Sequence, residues 1–150
     1  MKALLIAVLV LSASLPAYSQ TQPSVGVTPG MRAQAYLKIV DLEPKNPNAN
    51  YRLGLSLLNL NKNTEAQKHL DISFTNSPNP IFALALARAY ARAHNKAKAF
   101  ETIERSTTMG GIAPESLIAE KDFAEWRDDA QFKELLRKSD IAVNPCKASP

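Results

Sequence analysis

Ten prolines, at positions 16, 23, 29, 44, 47, 78, 80, 114, 145 and 150, decide where this chain can be helical. A proline inside a helix removes one backbone hydrogen bond and clashes with the preceding turn, at a cost of about 3 kcal/mol. Helices are therefore confined to the proline-free windows 30–43, 48–77, 81–113 and 115–144. The second and third windows are too long for one ordinary helix, and each has a break in its middle. In the second it is Asn59-Leu60-Asn61-Lys62-Asn63-Thr64. In the third it is His94-Asn95-Lys96. Asn serves turns and helix N-caps because its side chain bonds nearby backbone donors.

On either side of each break, apolar residues recur at helical spacing. Leu53, Leu57 and Leu60 form one stripe, and Ala66, Leu70, Ser73 and Phe74 the next. Leu84, Ala87 and Tyr90 are followed by Ala99, Phe100 and Ile103. Period-two alternation of β-branched residues is absent. The fold class expected is all-α, with helices near 31–42, 48–60, 64–76, 80–93 and 96–108 and a capping helix or two after them. The residues expected to be buried are Tyr36, Leu53, Leu57, Leu70, Phe74, Leu86, Tyr90, Phe100, Ile103, Trp126 and Phe132.

The two long windows superpose at an offset of 33. Leu53 meets Leu86, Gly54 meets Ala87, and Leu57 meets Tyr90. Ala66 meets Ala99, Leu70 meets Ile103, and Ser73 meets Ser106. Small residues recur along with large ones, which implies the same close helix pairing twice. This pattern resembles the tetratricopeptide repeat, a helix-turn-helix unit of about 34 residues. The first repeat, about 47–79, carries Leu53, Gly54, Ala66 and Pro78 of the family pattern. The second, about 80–112, carries Leu86, Ala87, Tyr90 and Ala99, with Gly111 where a closing proline is usual. Tyr36 to Pro47 resembles a leading half repeat with its L-x-P-x-N-P turn, and its helix is expected to cover the first repeat's open edge. Asp122 to Leu135 is similar to a closing segment found after bacterial repeats of this type, with Trp126 and Ala130 in place of Leu and Pro. Asp129 is placed to cap a helix running to about Lys138. The resemblance implies a short solenoid of about two and a half repeats with C-terminal capping helices.

The segment Met1–Gln20 reads as a secretory signal. Lys2 is followed by the apolar run Ala3–Leu11, and Ala17-Tyr18-Ser19 offers small residues for cleavage near Ser19. The run is shorter than the roughly 20 residues of a membrane span. The expected organisation is signal peptide 1–19, flexible linker 20–30, repeats 31–112, capping segment 113–140 and disordered tail 141–150. The expected location is periplasmic or secreted, with no transmembrane segment in the mature chain.

Removal of Met1–Ser19 takes Lys2 with it and lowers the net charge from +4 to +3. The basic residues are scattered among acidic ones, so nucleic acid is not the expected partner. One cysteine, Cys146, excludes an intramolecular disulfide and a Cys₂His₂ zinc site. Two histidines without HExxH spacing offer no metal centre. His94 reads as a turn residue, and Cys146 in the tail as a free thiol, with an intermolecular disulfide or a redox role as alternatives. Phosphate loops and nucleophile elbows are absent, so neither cofactor nor catalysis is expected.

The resemblance implies instead a protein or peptide partner, acidic where it meets the arginines, held along the concave face by the first helix of each repeat. Those positions are Asn48, Tyr51, Leu55 and Asn59, then Leu84, Arg88 and Arg92. Arg88 and Arg92, four apart on one face, suit a carboxylate of the partner. Their alternative is a solvated basic face paired with Glu101 or Glu104. The expected role is an exported scaffold or adaptor. The alternative is an accessory or regulatory subunit of a separately encoded exported enzyme.

Overall fold

The computed structural model describes residues 26–148, and the predicted leader lies outside them, as does most of the predicted linker. Seven α-helices follow one another among these residues. They are α1 (Pro29–Leu42), α2 (Pro47–Asn59), α3 (Asn63–Asn76), α4 (Pro80–Arg92), α5 (Lys96–Thr107), α6 (Pro114–Ala119) and α7 (Ala130–Val143). A 3₁₀ segment, Lys121–Trp126, lies between α6 and α7, and a 3₁₀ turn, Pro145–Ala148, follows α7. The five repeat helices fall within two residues of their expected bounds. Each of α1, α2, α4 and α6 opens on a proline, whose missing N–H is not needed there. Asn46, Asn79 and Asn95 cap α2, α4 and α5 by accepting from the N–H three residues on.

Two boundaries differ from expectation. Pro29 and Gly30 belong to α1 rather than to a linker, because Thr28 Oγ1 accepts from Met31 N and sets the helix start earlier. The predicted disordered tail is structured through Ala148. Helix α7 continues to Val143 because Ala142 seats beside Gly111, where a Cβ on the glycine would lie 2.9 Å from the Ala142 methyl. Gly111 has φ +74, so it satisfies both the turn after α5 and this close approach.

Consecutive helices pack as antiparallel pairs, with α1 against α2, α2 against α3, α3 against α4 and α4 against α5. Leu53, Leu58, Leu70, Phe74, Leu86 and Ile103 fill the interface. Gly54 is the tightest point: a Cβ there would lie 2.5 Å from Leu70 Cγ. At the equivalent positions of the second repeat stand Ala87 and Ile103, both fully buried. Asn61 and His94, 33 apart, both adopt the left-handed conformation (φ 58° and 56°) and close α2 and α4. His94 is thus an exposed turn residue. Tyr36 and Tyr90, expected inside, are only half-buried at the edge of the core.

Asn50 is buried and locks the leading half repeat onto the first. Its Nδ2 donates to Pro44 O and Asn46 O, each at 2.9 Å. Its Oδ1 is therefore the acceptor for His69 Nδ1 at 2.9 Å, which fixes the imidazole proton on Nδ1.

The capping segment has a repeat's own spacing. Pro114 follows Pro80 by 34, and Ser139 follows Ser106 by 33, as Ser106 follows Ser73. All three serines are fully buried. The segment is a third unit whose first helix breaks. Leu86 and Ala87 are buried in α4, but 34 residues on stand Glu120 and Lys121. Charged side chains are almost never fully buried unless paired, so α6 stops at Ala119 and the chain continues as the 3₁₀ segment. Phe123, Trp126, Phe132 and Phe100 then close the end as one aromatic cluster, with ring centroids 5.2 to 6.0 Å apart.

Candidate functional site

The first elements of the three units, α2, α4 and α6 with its 3₁₀ extension, follow one another across one side of the stack. Tyr51 joins α2 to α4 through its ring contact with Phe82, centroids 4.8 Å apart. The repeat offset aligns Tyr51 with Leu84 and Ile118, and Leu55 with Arg88 and Asp122. Tyr51, Leu55 and Leu84 are partly buried and packed on the core. Ile118 is 45% exposed, and Asn48 and Asn59 are exposed.

Arg88 and Arg92 are already engaged. Arg88 Nε lies 3.1 Å from Asp122 Oδ2 and 3.0 Å from Glu120 Oε2. Arg92 Nε lies 2.9 Å from Asp122 Oδ1, and its Nη1 donates to Leu58 O at 2.8 Å. One carboxylate thus receives both guanidinium groups, and Arg92 also satisfies a carbonyl near the end of α2. Charge-assisted bonds of this kind are about twice as strong as neutral ones. The predicted partner carboxylate has its counterpart within the chain. The alternative pairing with Glu101 or Glu104 does not form. Glu104 instead pairs with Lys138, because α5 turns that face toward α7.

The seven predicted positions therefore divide. Arg88 and Arg92 tie α4 to the cap. Asn48, Tyr51, Leu55, Asn59 and Leu84 form a half-apolar surface bordered by two carboxamides. A carboxamide both donates and accepts, so this surface suits an extended backbone better than a lone charge. Asp122, Glu120 and Ile118 were not among the predicted positions. The signal that finds them is the offset of 34 carried one unit further than the two obvious repeats.

No group of three or more His, Cys, Asp or Glu side chains is arranged to hold a metal ion among the described residues. Nor is any helix among them long and apolar enough to cross a membrane. Cys146 is exposed with a free thiol.

Residues 35–68 match the sequence model of the tetratricopeptide repeat. This stretch of the chain is a tetratricopeptide repeat. The match begins within α1 and runs through α2 into α3, so it takes in the leading half repeat. Such repeats are typically non-catalytic modules for protein–protein interaction. No curated protein matches the sequence.

Proposed function

We propose that this protein is an exported scaffold that holds an extended peptide or protein segment along α2 and α4. The observation that carries the reading is the surface of Tyr51, Leu55 and Leu84 bordered by Asn48 and Asn59. Its apolar part is packed on the core and already ordered, so binding orders few additional side chains. The Arg88–Arg92 pair sits at the margin of this surface and fixes the cap. The partner is therefore recognised by its backbone and apolar side chains, with acidic character contributing beside Arg52 on α2, whose guanidinium lies 6.0 Å from the Tyr51 ring centroid. Export is supported by the charge, apolar run and cleavage pattern of Met1–Ser19.

The test is affinity capture from the envelope and medium of the source organism. Wild-type protein is compared with a variant carrying Asn48→Ala and Asn59→Ala, with circular dichroism confirming the helices. A partner retained by wild type and lost by the folded variant supports the reading. Equal retention of the same proteins by both overturns it. Arg88→Glu with Arg92→Glu is a poor control, because it repels Asp122 and loosens the cap. Export is tested by expressing the full chain and reading its first residue by mass spectrometry. A start at Gln20 is expected, and retention of Met1 after delivery overturns it.

A further inference from the structure

Helix α1 is apolar on two sides. One side buries Ala33 and Val40 against α2, with Tyr36 beside them. The other carries Met31, Ala35, Ile39 and Leu42, at helical spacing, and all four are exposed, Leu42 to 84%. Arg32 and Lys38 flank this second stripe, one on each side. Among the described residues neither has an ion-pair partner.

At the opposite end of the stack, α5 and α7 run parallel. Lys96 pairs with Asp129 at the start of both helices, and Glu104 pairs with Lys138 near the end of both. Between these two bridges lies an open groove of about 780 Å³. Phe100 and Leu135 form its floor, with Ala97 and Ala130 at the side. Glu101 stands on the α5 wall and Glu134 on the α7 wall. Glu101 makes no ion pair among the described residues, and Glu134 pairs only with the exposed Arg137 one turn away.

We propose that the exposed stripe of α1 from one copy of this chain docks into the α5–α7 groove of a second copy. Three features agree. The stripe and the floor are both apolar. The stripe is flanked by cations, and each wall of the groove carries a carboxylate, so Arg32 faces one wall and Lys38 the other. The lengths also match: α1 and α7 each have 14 residues, roughly 21 Å of helix. A helix laid into a groove of complementary charge is a common recognition mode. The surfaces differ, so the contact is heterologous and propagates head to tail rather than closing by a two-fold axis. The interface is one helix wide, at the small end of specific interfaces, and association is reversible.

Sedimentation velocity over a concentration series, on protein purified after expression of the full chain, tests the proposal. Wild type grows in mass with concentration, and added salt weakens the association. Met31→Lys with Leu42→Lys removes the stripe; Glu101→Lys with Glu134→Lys turns the groove basic. All four side chains lie on the surface, and circular dichroism confirms that both variants stay helical. Each variant alone weakens association about tenfold or more. Mixed in equal amounts, the two variants form a heterodimer and stop there, because each retains one intact face. A monomeric wild type overturns the proposal, including the case where the chain's own N-terminal residues cover α1. Association that persists in the glutamate variant but not in the α1 variant overturns it in favour of α1 meeting α1.

Discussion

The second and third units start from the same plan and end differently. Both open on a proline, and both place a second helix about 16 residues on. In the second unit, Leu86 and Ala87 let α4 run unbroken for 13 residues. In the third, Glu120 and Lys121 stand at those depths, and α6 ends after six. The freed stretch does not become loose. It turns Asp122 onto Arg88 and Arg92, and drops Trp126 onto Phe100 and Phe123 onto Phe132. Two charges at positions that the preceding repeat buries thus convert a repeat into a terminus. The end of a solenoid can be specified by charge placement within a repeat, with no separate capping domain.

The comparison breaks most severely at the aromatic cluster. Phe123 is fully buried, and Phe123→Ala is expected to cost about 3–5 kcal/mol in urea unfolding. A much smaller loss would mean that the third unit does not unfold with the other two. Next is the carboxylate shared by two arginines. Asp122→Asn leaves the partly buried Arg92 without its anion and Arg88 with Glu120 alone, and should cost about 1–3 kcal/mol. A double-mutant cycle with Arg92→Gln should return a coupling above roughly 0.5 kcal/mol; no coupling would make the pair incidental.

A third experiment repairs the break. Glu120→Leu with Lys121→Ala restores the α4 pattern, and helical circular dichroism should rise as α6 extends. An unchanged signal would assign the break to the turn at Gly110–Ala113 rather than to the two charges. The smallest effect lies in the first unit. Burial lowers the His69 pKa from 6.5, with Glu65 opposing and Lys68 adding to the shift. The unfolded chain then takes up the proton more readily than the folded one. Stability should fall as pH drops through about 6.5 toward the lower folded value. Chemical denaturation of wild type and His69→Gln at pH 7.5 and 5 should give the shallower dependence in the variant. Identical dependence would exclude His69 as the cause.

Helix positions were legible in the sequence because prolines and asparagines act locally: each starts or stops a helix through its own backbone or the next turn's. The paired windows were legible because Gly54, Ala66 and Ser73 repeat at a fixed offset. The broken third unit was harder to see. Its proline is 34 rather than 33 residues on, while its buried serine keeps 33, so no single shift aligns both. The Arg88–Arg92 pair was correctly placed on one face. Its partner was missed because residues 34 apart meet only when the cap is recognised as a further unit. Asn48, Tyr51, Leu55, Asn59 and Leu84 follow from repeat position alone.

The contact between Gly54 and Leu70 also limits how this array can be rearranged. The first repeat fits a branched side chain against a bare backbone. The second has a methyl, Ala87, at the glycine's position and Ile103 at the leucine's, both buried. Transplanting α3 beside α4 would bring Leu70 onto a position that already carries a Cβ. The helices are therefore matched within each pair and are not interchangeable parts. A longer array built from this chain would have to copy each pair whole, because a recombination point between α2 and α3 would separate the glycine from the leucine it accommodates.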